Sequence, residues 1–123
     1  MLGRIDEVVM DCANPAGLAE FWSSVLGGTP VHRHETWCYL DPPGWTRLAF
    51  QQVPEPKQLK NRVHLDVVVD DVTAATETAV GLGATVVSAI HRDAAGEFQV
   101  LQDPEGNEWC VVHPAARDSL KVF

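Results

Sequence analysis

One strand–helix pattern occurs twice in this chain, and it limits the possible folds more than any other feature. Near the N-terminus, Glu7-Val8-Val9-Met10-Asp11-Cys12-Ala13-Asn14 leads into a helical stretch that ends at Leu26-Gly27-Gly28. Halfway along, His64-Leu65-Asp66-Val67-Val68-Val69-Asp70-Asp71 leads into another that ends at Leu82-Gly83-Ala84. A repeat at this spacing predicts two similar half-domains packed about a pseudo-twofold axis. Glu7 and His64 hold equivalent places in the two halves, so their side chains are expected to meet around one cavity.

Local signals fill in each half. Residues 5–12 are β-branched and bounded by polar groups, as a strand requires. Asn14 is the expected N-cap, with Pro15 at the first helical position. Leu18, Phe21, Trp22, Val25 and Leu26 form one apolar stripe. Strands are expected at 29–34, 36–40 and 45–53, with Asp41-Pro42-Pro43-Gly44 as a turn. The Pro-rich stretch 54–61 cannot continue a sheet and reads as a linker between module one, about residues 4–53, and module two, about 62–113. In the second half, a strand at 62–69 precedes a helix capped by Asp71, with Ala75, Ala79 and Leu82 on its buried side. Strands come next at 84–91, 97–102 and 108–113, the last two joined by Asp103-Pro104-Glu105-Gly106-Asn107. The tail, 114–123, is open: Leu120, Val122 and Phe123 either dock or fray. The sum is strand, helix and three strands, twice: an α+β fold with a mixed sheet, helices outside and the other sheet face around a cleft.

A chain of 123 residues is expected to be one domain, 1–123, able to hold a core without staples. Hydrophobic content of 46% against 21% charged suits a soluble globular class. A net charge of −8 argues against nucleic acid and against an anionic membrane surface. No run reaches the ~20 apolar residues of a membrane-spanning helix. Cys12, Cys38 and Cys110 are odd in number and no secretory signal precedes them, so reduced thiols and a cytoplasmic location are expected.

This layout, with Pro15-Ala16-Gly17-Leu18-Ala19-Glu20-Phe21-Trp22-Ser23-Ser24-Val25-Leu26-Gly27 and Asp103-Pro104-Glu105-Gly106-Asn107-Glu108, resembles the vicinal oxygen chelate superfamily. That group holds the glyoxalases, bleomycin-resistance proteins and extradiol dioxygenases, and the chain looks most like its small actinobacterial glyoxalase-like members. The resemblance covers about residues 4–113. It implies two paired βαβββ modules, a cupped sheet and a homodimer. It also implies a divalent ion (zinc, nickel, manganese or iron) held by first- and fourth-strand positions, here Glu7, His64, Gln51 and Cys110. A metal-dependent glyoxalase carries His or Glu at all four. With Gln and Cys at two of them the ligand set is degenerate, and a metal-poor protein is expected.

Strand parity places these groups on one face. His64, Asp66 and Val68 alternate with an apolar set that must face a helix; so do Glu7, Val9 and Asp11, while Glu108, Cys110 and Val112 share a face of the last strand. His64 is either a metal ligand or general base, or a hydrogen-bonded core histidine paired with Glu7 or Asp66. Glu7 either lines the cavity, as a catalytic or metal-binding carboxylate, or forms an ion pair with Arg4, Arg47 or Arg62. Cys110 is either a ligand or a small buried hydrophobe. Trp22 and Trp109 are expected in the core. Trp37 and Trp45 flank the Pro-Pro-Gly turn and, with Asp66 and Gln51, are expected to touch a ligand. His32, His34, His91 and His113 are expected to be solvated, and Asp103 and Glu105 to serve a turn.

Two functions compete. One is a glyoxalase-like lyase, isomerase or dioxygenase in which an ion, or Glu7 and His64 alone, acts on a small oxygenated molecule. The other is a non-catalytic protein of the bleomycin-resistance type that sequesters a small aromatic, cationic, antibiotic-like molecule on acids and tryptophans.

Overall fold

The computed structural model describes residues 1–115; Leu120, Val122 and Phe123, expected to dock or fray, lie outside the described residues. The chain divides into two compact units, Met1–Gln58 and Leu59–Phe123. Each is built as strand, helix and antiparallel strands.

The first unit comprises β1 (Glu7–Cys12), α1 (Pro15–Leu26), β2 (Val31–His34), β3 (Trp37–Leu40) and β4 (Arg47–Gln52). Its sheet runs β1-β4-β3-β2, with β1 parallel to β4 and the rest antiparallel. The start of α1 is local chemistry. The Asn14 side chain accepts from the Gly17 N–H at 3.1 Å, and Pro15 opens the helix with a fixed φ and no N–H to orphan. Leu18, Ala19, Phe21 and Trp22 are buried against β3 and β4, and Val25 and Leu26 are half-buried at the end of the stripe. The core opposite them is Cys38, Leu40, Leu48 and Phe50. Alternation then sends Trp37, Tyr39, Arg47, Ala49 and Gln51 to the open face, with Glu7, Val9 and Asp11 beside them.

The second unit comprises β5 (Asp66–Val68), α2 (Val72–Leu82), β6 (Thr85–Val86), β7 (His91–Asp93), β8 (Gly96–Gln102) and β9 (Glu108–Pro114). Its sheet runs β5-β9-β8-β6, with β7 also on β8. Asp71 caps α2 by accepting from the Ala74 N–H at 3.0 Å, and Gly83 closes it in the left-handed region at φ 118°.

Three expectations are corrected by the second unit. The strand expected at 62–69 is a ladder only over Asp66–Val68. Bonds from the Cys110 N–H to the Leu65 carbonyl and from the Val69 N–H to the Val112 carbonyl close its ends. Residues 62–64, His64 among them, precede it. The strand expected at 84–91 is two pieces. The Val87 and Ser88 N–H groups both reach the Val100 carbonyl, and Ser88 Oγ takes the Val100 N–H, so the ladder breaks between β6 and β7. The buried stripe of α2 is Val72, Thr76 and Ala79, not Ala75, Ala79 and Leu82. Thr76 is tolerated there because its hydroxyl donates to Gln99 Oε1 at 2.7 Å, and Gln99 Nε2 donates in turn to the Ser88 carbonyl.

Candidate functional site

In the second unit, β5 and β9 run parallel with Asp66 opposite Cys110. Asp66 and Cys110 therefore share the face turned away from α2, while Val67 and Val111 turn the other way. His64 approaches from just before β5. Its Nδ1 lies 3.4 Å from Asp66 Oδ1, and ligand atoms of His64, Asp66 and Cys110 all lie within 4.8 Å of one another. His64 and Asp66 are exposed and Cys110 is 7% exposed. Burial pushes the Cys110 thiol up to about 11, and the negative charge and hydrogen bond of Asp66 push the same way; Lys60 opposes them weakly. The thiol therefore holds its proton at neutral pH. Glu108, on the same face and 8% exposed, accepts from the Asn61 N–H at 3.0 Å, which ties the entry to β5 onto β9.

These donors fit a divalent ion. One nitrogen, one oxygen and one sulfur within reach of a single centre suit zinc, which takes His, carboxylate and thiolate together. The cost is loss of the Cys110 proton on binding.

The first unit carries Glu7, Trp37, Trp45 and Gln51. Glu7 is half-buried and stands opposite Arg47 on β4; Gln51 stands opposite Asp11, four residues further along, roughly 13 Å at strand spacing. Glu7 has an ion-pair contact with Arg33 at 3.8 Å, which the sequence did not suggest, and its charge also acts on Arg47 opposite it on β4. Trp37 is half-buried, and its ring is 5.1 Å from the Arg33 guanidinium carbon. The same carbon is 5.2 Å from the Tyr39 ring, and Arg47 lies 3.8 Å from that ring. Trp45 is 47% exposed in the turn before β4. Trp22 and Trp109 are in the core, at 0% and 1% exposure.

Sequence reasoning missed Arg33 altogether and took Arg47 only as a partner for Glu7. Arg33 lies between two histidines, and only the shift of register between His32 and His34 reveals it as the extra residue of a bulge. His32, His34, His91 and His113 are all exposed, as expected, and each also has a local contact: His32 Nδ1 is 2.9 Å from Cys38 Sγ, His34 Nδ1 is 3.0 Å from Thr36 Oγ1, His91 stacks on Phe98, and His113 Nδ1 lies 2.8 Å from the Val69 carbonyl. Asp103 does serve its turn. Its Oδ1 accepts from the N–H groups of Glu105 and Asn107.

Two units, each a strand, a helix and a run of antiparallel strands with the first and last strands parallel, define a glyoxalase-type α+β protein. A family model described as glyoxalase-like domain matches residues 7–112, so the chain belongs to that family. No curated protein matches it significantly. Among solved structures, it is similar to a glyoxalase/bleomycin resistance protein/dioxygenase family enzyme from Burkholderia phytofirmans. The identity is 20% and the TM-score 0.75, covering 89% of this chain and 98% of that one. A glyoxalase-related enzyme from Fulvimarina pelagi is 18% identical, with a TM-score of 0.72 over 91% of this chain and 88% of that one. A mutant fosfomycin resistance protein, FosX, from Listeria monocytogenes, complexed with Mn(II) and 1S,2S-dihydroxypropylphosphonic acid, is 11% identical. Its TM-score is 0.78, over 99% of this chain and 98% of that one. At these identities the likeness carries the fold. Among the described residues no helix is long and apolar enough to cross a membrane.

Proposed function

We propose that this protein binds a small oxygenated organic molecule through a divalent ion held by His64, Asp66 and Cys110. The observation that carries the reading is the clustering of those three ligand atoms within 4.8 Å on the open face of the second sheet. An ion held by these residues would supply Lewis-acid polarisation of a ligand oxygen. The chain's own contribution is to fix the donors. Strand register sets Asp66 beside Cys110, and Asp66 orients the His64 imidazole. The reaction classes this serves are those of a lyase, isomerase or dioxygenase that acts beside an oxygenated carbon.

The test is metal content and spectrum. Apo protein titrated with cobalt is expected to take up one ion per chain and to show thiolate-to-cobalt absorption. His64→Ala is expected to weaken binding at least tenfold, and Cys110→Ser to abolish the thiolate band. Binding that survives both substitutions overturns the reading. The assembly we propose is a homodimer, as the resemblance implies, with sedimentation equilibrium giving twice the 13.5 kDa chain mass.

One observation favours the second reading, a non-catalytic sequestering protein of the bleomycin-resistance type. A Cys110 thiol with its pKa at about 11 is a reluctant ligand at neutral pH. Ligand binding unchanged by chelator is the result that selects it.

A further inference from the structure

We propose that the open face of the first sheet binds the carboxylate of a small organic acid through Arg33. The metal cluster does not involve this residue, and the inference does not depend on it. Arg33 is the extra residue of the bulge in β2, an edge strand whose four residues are all exposed. The bulge aims its guanidinium at the rings of Trp37 and Tyr39, 5.1 and 5.2 Å away.

The two arginines on this face are in different states. Arg47 is spoken for. Its Nε and Nη2 donate to the two oxygens of Asp41 at 2.8 and 3.1 Å, a bidentate fork. Among the described residues, the one carboxylate paired with Arg33 is Glu7, at 3.8 Å, which is beyond hydrogen-bond reach, and the Arg33 side chain is 43% exposed. It has five donors in a planar fork that matches a carboxylate. Flanked by two rings, that fork loses less freedom when a ligand arrives. The indole Nε1 of Trp37 is buried and, among the described residues, has no hydrogen-bond partner.

The same geometry argues against a cationic aromatic ligand on Trp37 itself. That ring and the Tyr39 ring already face guanidinium groups of the protein, so a second cation meets like charge. The acids of this face are Glu7, close to Arg33, and Asp11, roughly 13 Å further along β1. The anion is therefore expected to approach from the exposed β2 edge, away from Asp11.

The test uses the full chain stripped of metal with chelator, so that failure of the metal reading and failure of this one are separate results. Benzoate is titrated by calorimetry at low salt, with benzyltrimethylammonium as the cationic counterpart. Benzoate is expected to bind and to weaken as salt rises. Arg33→Ala is expected to weaken it at least tenfold, and Arg33→Lys by an intermediate factor, since a point charge replaces the fork. Arg92→Ala, an equal charge change in the second unit, is expected to change it less than twofold. Far-UV circular dichroism of Arg33→Ala confirms that the edge strand tolerates the change. No benzoate binding in the millimolar range, equal binding by Arg33→Ala, or tighter binding of the ammonium compound would each overturn the proposal.

Discussion

Cys110 shows how one side chain couples the core to the site. Its pKa rises from an ordinary 9.0 to about 11, chiefly because burial disfavours the thiolate and then because Asp66 stands beside it. The unfolded chain loses this proton near 9 and the folded chain near 11. The stability that the neutral thiol contributes is therefore present below pH 9 and is lost as pH rises from 9 towards 11. Urea midpoints measured between pH 8 and 11 are expected to fall more steeply for the wild type than for Cys110→Ala. Asp66→Asn removes the carboxylate charge and is expected to shift Cys110 alkylation to lower pH. An unchanged alkylation profile would mean that burial alone sets the pKa. Much at this scale was legible in the sequence. Period-two alternation put Asp66 and Cys110 on the open face, because a strand offers a side chain only two directions, whereas His64 comes from the segment ahead of β5 where no ladder sets its direction. The proximity of Arg33 to Glu7 was not legible, because it joins side chains from the two outer strands of the sheet, β2 and β1, and alternation within one strand says nothing of which strands face each other across a sheet.

Among the elements, the parts that rest on neighbours in sequence were readable, and those that rest on distant partners were not. The Asn14 and Asp71 caps act over three residues and stand where expected. The break between β6 and β7 depends on Ser88 reaching Val100, and the polar place in the α2 stripe depends on Gln99, 23 residues from Thr76. Thr76→Val is accordingly expected to cost about 1–3 kcal/mol, because Gln99 Oε1 loses its donor inside the core while the volume hardly changes. Two glycines of this unit separate backbone need from chance. Gly96 sits at φ +126° as the first residue of β8, and a Cβ there would run into the His113 carbonyl and the Pro114 backbone. Gly96→Ala is expected to lose roughly 2–4 kcal/mol. Gly81 lies inside α2 with open space where a Cβ would go, so Gly81→Ala is expected to gain about 0.5–1 kcal/mol. Thermal midpoints of the two variants, moving in opposite directions, check the pair.

In the molecule as a whole, one plan built twice has diverged in chemistry. Parallel pairing of the first and last strands recurs in both units, with Glu7 opposite Arg47 in one and Asp66 opposite Cys110 in the other. The repeat was visible because core and caps preserve it. The divergence of the faces was not, because open-face positions are free of packing demands and reveal their roles only through neighbours on other strands. The first face offers guanidinium donors and the second offers nitrogen, oxygen and sulfur acceptors for a cation. The two should therefore respond to opposite ligands. At a hundred times the dissociation constant, a ligand that binds only the folded state adds about 2.7 kcal/mol. For a chain of this length that is a rise of roughly 10 °C in thermal midpoint. Zinc alone is expected to give such a rise in wild type and in Arg33→Ala but not in His64→Ala. Benzoate, with chelator present, is expected to give it in wild type but not in Arg33→Ala. If Arg33→Ala erased the zinc shift as well, the division of labour between the two faces would be wrong, because a guanidinium has no lone pair to give a metal and no charge to attract one.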